Sequence, residues 1–162
     1  MDLRQEVVEL IFRVAKIGKL KLNRQLAQKG LTLPQYFVMK MLYKKTYEEK
    51  KPISPADLST LTGISRSTMT GIIDRLEKNC LLDRKQNPQD RRSQNIEFTE
   101  KGLNIVQDLS MVADEIRNEP LKALSEEQLL NLRDDLILIE NYLKDHEDGD
   151  LVYLKSEEPG EH

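Results

Sequence analysis

Two short stretches carry side chains whose types and spacing suit one kind of chemistry. The first runs from Ser65 to Arg75 and combines the hydroxyls of Ser65, Ser67, Thr68 and Thr70 with the guanidiniums of Arg66 and Arg75. Short polar groups let a helix sit deep enough in a duplex groove to read base edges, and arginine adds bidentate or phosphate contacts. The second is the basic turn Asp90-Arg91-Arg92-Ser93, preceded by Arg84 and Lys85. Guanidiniums at a hairpin tip suit a narrow minor groove, where negative potential concentrates. Arg91 or Arg92 is the residue expected to reach DNA there, with Arg84 and Lys85 flanking the backbone. A plainer reading makes Ser67, Thr68 and Thr70 an ordinary solvated helix face. Likewise, Arg92 could pair with Asp90 and merely stiffen the turn.

Other chemistries lack their residues. The sequence has no glycine-rich phosphate loop, no nucleophile elbow and no histidine near a serine or cysteine in the part expected to fold, so an enzyme is not expected. Asp134-Asp135 reads as a pair of salt-bridge partners on a solvated helix face. The two histidines, His146 and His162, have no second His or Cys at metal-binding spacing, and no metal or other cofactor is implied. Cys80, the single cysteine, excludes an intrachain disulfide. It follows a helix C-terminus, whose dipole opposes thiolate formation, so a redox role is disfavoured.

The net charge of −3 is unevenly placed. Residues 1–30 carry +4, residues 31–101 carry +4 and residues 102–162 carry −11. The polar-hydroxyl stretch and the basic turn therefore lie in the positive part, where phosphates can bind whatever the global charge. The N-terminus has no basic-then-apolar leader pattern, and no apolar run approaches a membrane span. A cytoplasmic protein without membrane association is expected.

Helical periodicity and cap residues predict the elements that must position these side chains. Apolar residues from Leu3 to Leu20 mark a helix over 3–28, stopped near Gly30. Thr32-Leu33-Pro34-Gln35 and Ser54-Pro55-Ala56-Asp57 open two more helices with capping chemistry. Gly63 stops the second of these, and Ser65 opens a helix from Arg66 to about Lys78. Met69, Ile72, Ile73 and Leu76 form its buried face. Two short helices around a glycine-containing turn, at about 54–78, outline a helix-turn-helix. Alternation over 81–98 with a turn at 87–93 predicts a hairpin. Thr99 caps a helix over about 100–118, and Ser125 caps one whose Leu129, Leu132, Leu136, Ile139 and Leu143 form a two-heptad seam. Residues 145–162 read as an acidic, frayed tail. The fold expected is mainly α with a small β-hairpin wing.

The stretch from Leu31 to Gly102 resembles the MarR family of regulators. Asp90-Arg91-Arg92-Ser93 leading through Ile96 and Phe98 into Thr99-Glu100-Lys101-Gly102 is similar to the family's wing signature. Leu58 to Thr70 resembles its helix-turn-helix, and Asp74-Arg75-Leu76-Glu77 the end of its recognition helix. The resemblance covers about residues 3–144, taken as one domain. It implies a winged helix-turn-helix repressor that binds double-stranded DNA at a palindrome as a homodimer. Helices 3–28 and 125–143 would form the dimer, and Asp90 and Arg92 would shape the wing. It also implies a small, often phenolic effector, with Phe12, Lys16, Tyr36, Met39 and Tyr43 as candidate pocket residues. The competing reading is a winged helix that binds protein. Two positions depart from the family pattern. Cys80 stands where a cap glycine is common, so Asn79 or a local adjustment is expected to absorb the turn. Gly71 replaces a longer, often basic residue, at a cost of roughly 1 kcal/mol against Ala, and would let the helix approach DNA closely.

Overall fold

The computed structural model describes residues 2–88 and 93–145. It is mainly helical, with one two-stranded antiparallel sheet, as the periodicity predicts. The chain divides into two compact units, Met1–Ile116 and Arg117–His162, a division that the sequence pattern does not mark.

The first unit begins with α1, Leu3–Gln28. Gly30 takes a left-handed conformation (φ 68°), and the Leu31 N–H donates back to the Leu26 carbonyl at 3.0 Å. This closes the helix as a Schellman cap does. Leu26 is the one buried residue of α1. Leu3, Val7, Leu10, Ile11, Val14, Ile17 and Leu20 are all exposed.

The second helix, α2 (Leu33–Tyr43), opens with the expected capping box. The Gln35 N–H donates to Thr32 Oγ1, and the Thr32 N–H donates to Gln35 Oε1 at 2.8 Å. Tyr36, Val38, Met39, Met41 and Leu42 then enter the core. A charged stretch follows α2. Lys44–Glu48 forms a π-helical turn, the Glu49 N–H donates to the Lys44 carbonyl, and Lys50 sits at φ 56°. Tyr47 from this turn stacks on Tyr43 (centroids 5.2 Å apart) and tilts against Phe98.

Helix α3, Pro55–Thr62, carries the second capping box. Hydrogen bonds from the Ser54 hydroxyl, and secondarily from its N–H, hold the Asp57 carboxyl below its ordinary value. Gly63 stops the helix at φ 67°. Helix α4, Arg66–Lys78, follows at once and buries Met69, Ile72, Ile73 and Leu76. Each such side chain contributes roughly 1.5–3 kcal/mol of transfer free energy.

The end of α4 corrects one expectation. Asn79 does not absorb the turn; it has φ −84°, and Cys80 itself takes the left-handed conformation at φ 56°. The Cys80 N–H donates to the Glu77 carbonyl and the Leu81 N–H to the Leu76 carbonyl at 2.9 Å. The bond pattern demands left-handed backbone at this position, so the residue that occupies it bears the strain.

Strands β1 (Leu82–Gln86) and β2 (Gln94–Phe98) pair with Leu82 opposite Phe98 and Arg84 opposite Ile96. The Ile96 N–H also donates to the Ile53 carbonyl at 3.0 Å, which anchors the hairpin to the segment before α3. Helix α5, Glu100–Asn118, starts where Thr99 Oγ1 accepts from the Gly102 N–H. Here the Leu81 carbonyl accepts from the Thr99 N–H at 3.1 Å, and a Cβ on Gly102 would lie 1.9 Å from the same oxygen. Val106, Leu109 and Ala113 complete the core of this unit.

The second unit holds a 3-10 turn, Glu119–Ala123, and α6, Glu126–Asp145. Ser125, the expected cap, forms a capping box with Gln128. No residue of α6 is buried; Leu132, Leu136, Ile139 and Leu143 lie exposed along it.

Two substitutions test these backbone constraints. Gly102→Ala should destabilise the protein by at least about 1–3 kcal/mol, the usual cost of overpacking, because the added carbon meets backbone. Cys80→Gly should stabilise it by about 1 kcal/mol, by relieving the left-handed penalty. Urea denaturation of both variants gives the two signs directly.

Candidate nucleic-acid interface

The polar stretch is organised from its first residue. Ser65 caps α4 by accepting from the Thr68 N–H, and its hydroxyl also donates to Thr68 Oγ1 at 2.9 Å. Ser67 Oγ lies 3.2 Å from Ser65 Oγ, and the Thr70 hydroxyl donates to the Arg66 carbonyl. All four hydroxyl residues are exposed, as are Arg66 and Arg75. The turn before them is braced by side chains. The Ser59 hydroxyl donates to the Ile64 carbonyl and the Thr62 hydroxyl to the Leu58 carbonyl, each at 2.6 Å. Sequence reasoning missed these two braces; their signal is a hydroxyl residue on the buried side of a short helix.

The result is a helix with two unlike faces. Four apolar residues fix it to the core, and the outer face presents small hydroxyls at the N-terminal end and Arg75 near the other. Small relief, exposed donors and acceptors, and unpaired helix N–H groups are what a groove-reading surface requires.

The hairpin residues separate by strand alternation. Lys85 points outward and is exposed. Arg84 shares the inner face with Leu82 and does not stand free beside it. Its guanidinium forks onto Asp74 and Glu77 of α4, leaving the side chain 24% exposed. Arg84, expected to flank the DNA backbone, therefore ties β1 to α4. The period of two counted from Leu82 is the signal for this inward placement. Asp90, Arg91 and Arg92 lie outside the described residues. The Asn87 N–H donates to the Ser93 carbonyl at 3.1 Å.

The five candidate pocket residues occupy two different environments. Tyr36 and Met39 are buried in the core, whereas Phe12 is 71% exposed and Lys16 is exposed on α1. Tyr43 is half-buried and accepts a long hydrogen bond from Gln107 Nε2. A groove of about 310 Å³, lined by Gln25, Lys29, Asp108, Leu109, Met111, Val112 and Glu115, contains none of the five. Among the described residues no cluster of three metal-ligating side chains occurs, and no helix is long and apolar enough to cross a membrane. Cys80 is free and exposed.

Two helices around a glycine turn, followed by a hairpin and long flanking helices, define a winged helix-turn-helix protein. Comparison with known proteins narrows the class. Residues 31–94 match the model of the MarR family. The chain is 26% identical over 139 residues to the HTH-type transcriptional regulator YsmB of Bacillus subtilis, covering 86% of this chain and 92% of that protein. It is 36% identical over 93 residues to the HTH-type transcriptional regulator PecS of Dickeya dadantii, covering 56% and 55% respectively. Among solved structures, MepR, a transcription regulator of the Staphylococcus aureus multidrug efflux pump MepA, superposes with a TM-score of 0.70 at 22% identity, covering 82% of this chain and 95% of that one. A MepR–DNA complex from the same organism gives 0.67 at 23% identity, covering 84% and 97%. Residues 31–94 are thus similar to the MarR family, and YsmB, matched over most of the chain, is an HTH-type regulator.

The fork at Arg84 is open to a double-mutant cycle. Arg84→Gln and Asp74→Asn should each lower stability, and the pair should show a coupling of about 1 kcal/mol, the upper end for partly exposed ion pairs. Additive effects in denaturant melts would mean that the fork contributes nothing.

Proposed function

We propose that this chain is a sequence-specific DNA-binding transcription regulator, a repressor that reads a palindromic operator as a homodimer. The observation that carries the reading is the outer face of α4, where exposed short hydroxyls and arginines stand on a helix held rigidly by its buried side. The family's regulators and the MepR–DNA complex agree with it. The rival, a protein-docking winged helix, would more naturally place an apolar patch on that face; every large apolar side chain of α4 is instead buried.

The dimer rests on surface that the chain leaves uncovered. The exposed stripe of α1 and the exposed seam of α6 each exceed what scattered surface residues account for. A second copy covers both and sets two recognition helices about 34–36 Å apart, one turn of duplex. The proposed site residues are Ser65, Arg66, Ser67, Thr68, Thr70, Arg75 and Lys85, with Arg91 or Arg92 at the wing tip. Such a protein works in the cytoplasm, where its DNA is.

Effector control belongs to the same proposal. A small phenolic molecule that prefers the DNA-incompetent form would release the operator by population shift. Among the pocket candidates, Tyr36 has the property that supports this role: its hydroxyl is buried and has no hydrogen-bond partner. A buried unpaired hydroxyl is unfavourable by about 1–3 kcal/mol until a ligand meets it.

The test is selection from random duplex DNA with the purified protein, followed by affinity measurements across a salt series. An enriched palindrome, a steep salt slope and loss of affinity in the Arg91→Ala/Arg92→Ala variant are expected. No enrichment, with residual binding indifferent to the wing change, would sink the DNA reading in favour of a protein partner.

A further inference from the structure

The five glycines among the described residues sort into two groups. Gly30 and Gly63 have positive φ, and Gly102 abuts the Leu81 carbonyl, so the fold itself explains all three. Gly18 and Gly71 lie inside helices, and a Cβ built on either would meet nothing within 4 Å. Nothing within the chain requires them to lack a side chain, and glycine is the poorest helix former after proline. Both lie on faces that the proposed function turns towards a partner. Gly18 is four residues after Val14 and seven after Ile11, on the exposed apolar stripe of α1. Gly71 is four residues after Ser67 and three before Asp74, near the middle of the outer face of α4.

We propose that Gly71 is a specificity-determining position, a notch that lets α4 press its backbone against a base edge on the major-groove floor. This rests on the DNA-reading function proposed above. The surroundings favour such contact. The hydroxyls of Ser65, Thr68 and Thr70 fold back onto the helix, so the face around the notch has low relief. The nearest long cation on this face, Arg75, is one turn further on and does not fill the gap. A backbone this close to a base pair excludes those whose groove-side substituents project furthest. The readout is therefore one of shape, added to the hydrogen bonds of neighbouring side chains.

The decisive feature is that one substitution moves two quantities in opposite directions. Gly71→Ala should raise the melting temperature by about 2–4 °C, since it improves helix propensity without a clash. It should also weaken binding to the selected operator at least tenfold, with the salt slope unchanged because no phosphate contact is lost. Gly71→Gln should weaken it further, and selection repeated with Gly71→Ala should change the preferred base at one position in each half-site. If both variants are stabilised and bind the wild-type operator as tightly as the parent, the notch has no role and the proposal is overturned. If the wild-type protein itself selects no DNA, the broader function fails and this inference falls with it.

Discussion

The peptide joining Cys80 to Leu81 is the point on which the first unit is hung. Its two flanking residues hold both ends of the joint. The Leu81 N–H closes α4 onto the Leu76 carbonyl, and the Cys80 carbonyl accepts from the Thr99 hydroxyl at 2.8 Å. The Leu81 carbonyl receives the Thr99 N–H and leaves room for no side chain on residue 102. Lys101 Nζ adds a bond to the Asn79 carbonyl. The end of α4, the base of the hairpin and the start of α5 thus share one small set of hydrogen bonds. All polar groups of such a crowded joint must be paired, because an unpaired one is costly away from water. The left-handed strain at Cys80 is tolerated because the surrounding bonds over-determine it.

Much of this was legible in the chain. Helix starts were the most readable feature, because Thr32, Ser54, Ser65, Thr99 and Ser125 each carry their own capping chemistry within three residues. Local hydrogen bonding of this kind needs no tertiary context. The buried face of α4 was readable for a related reason: a period of 3.6 assigns it directly.

What escaped the sequence reading depends on partners distant in the chain. Arg84 looked like a free cation because its neighbours in sequence are Asp83 and Lys85, whereas its acids lie seven and ten residues upstream on another element. The π turn at Lys44–Glu48 has no composition signal; it is held by Tyr47 packing on Tyr43 and Phe98. At Cys80 the expectation followed residue preference, and the hydrogen-bond geometry overrode it. The pocket candidates were chosen by character alone, and burial then separated Tyr36 and Met39 from Phe12 and Lys16.

The position of Cys80 also makes the molecule unusually convenient to observe. It is the sole thiol of the chain, it is exposed, and it stands one residue beyond the C-cap of α4. A spin label or fluorophore attached through its sulfur would need no cysteine removed and none introduced. Because the backbone there is locked by the bonds around Leu81, such a probe would report rigid-body movement of α4 and little local fraying. In an assembly of two copies it would supply one matched pair of labels, and hence a molecular ruler for the separation of the two reading heads.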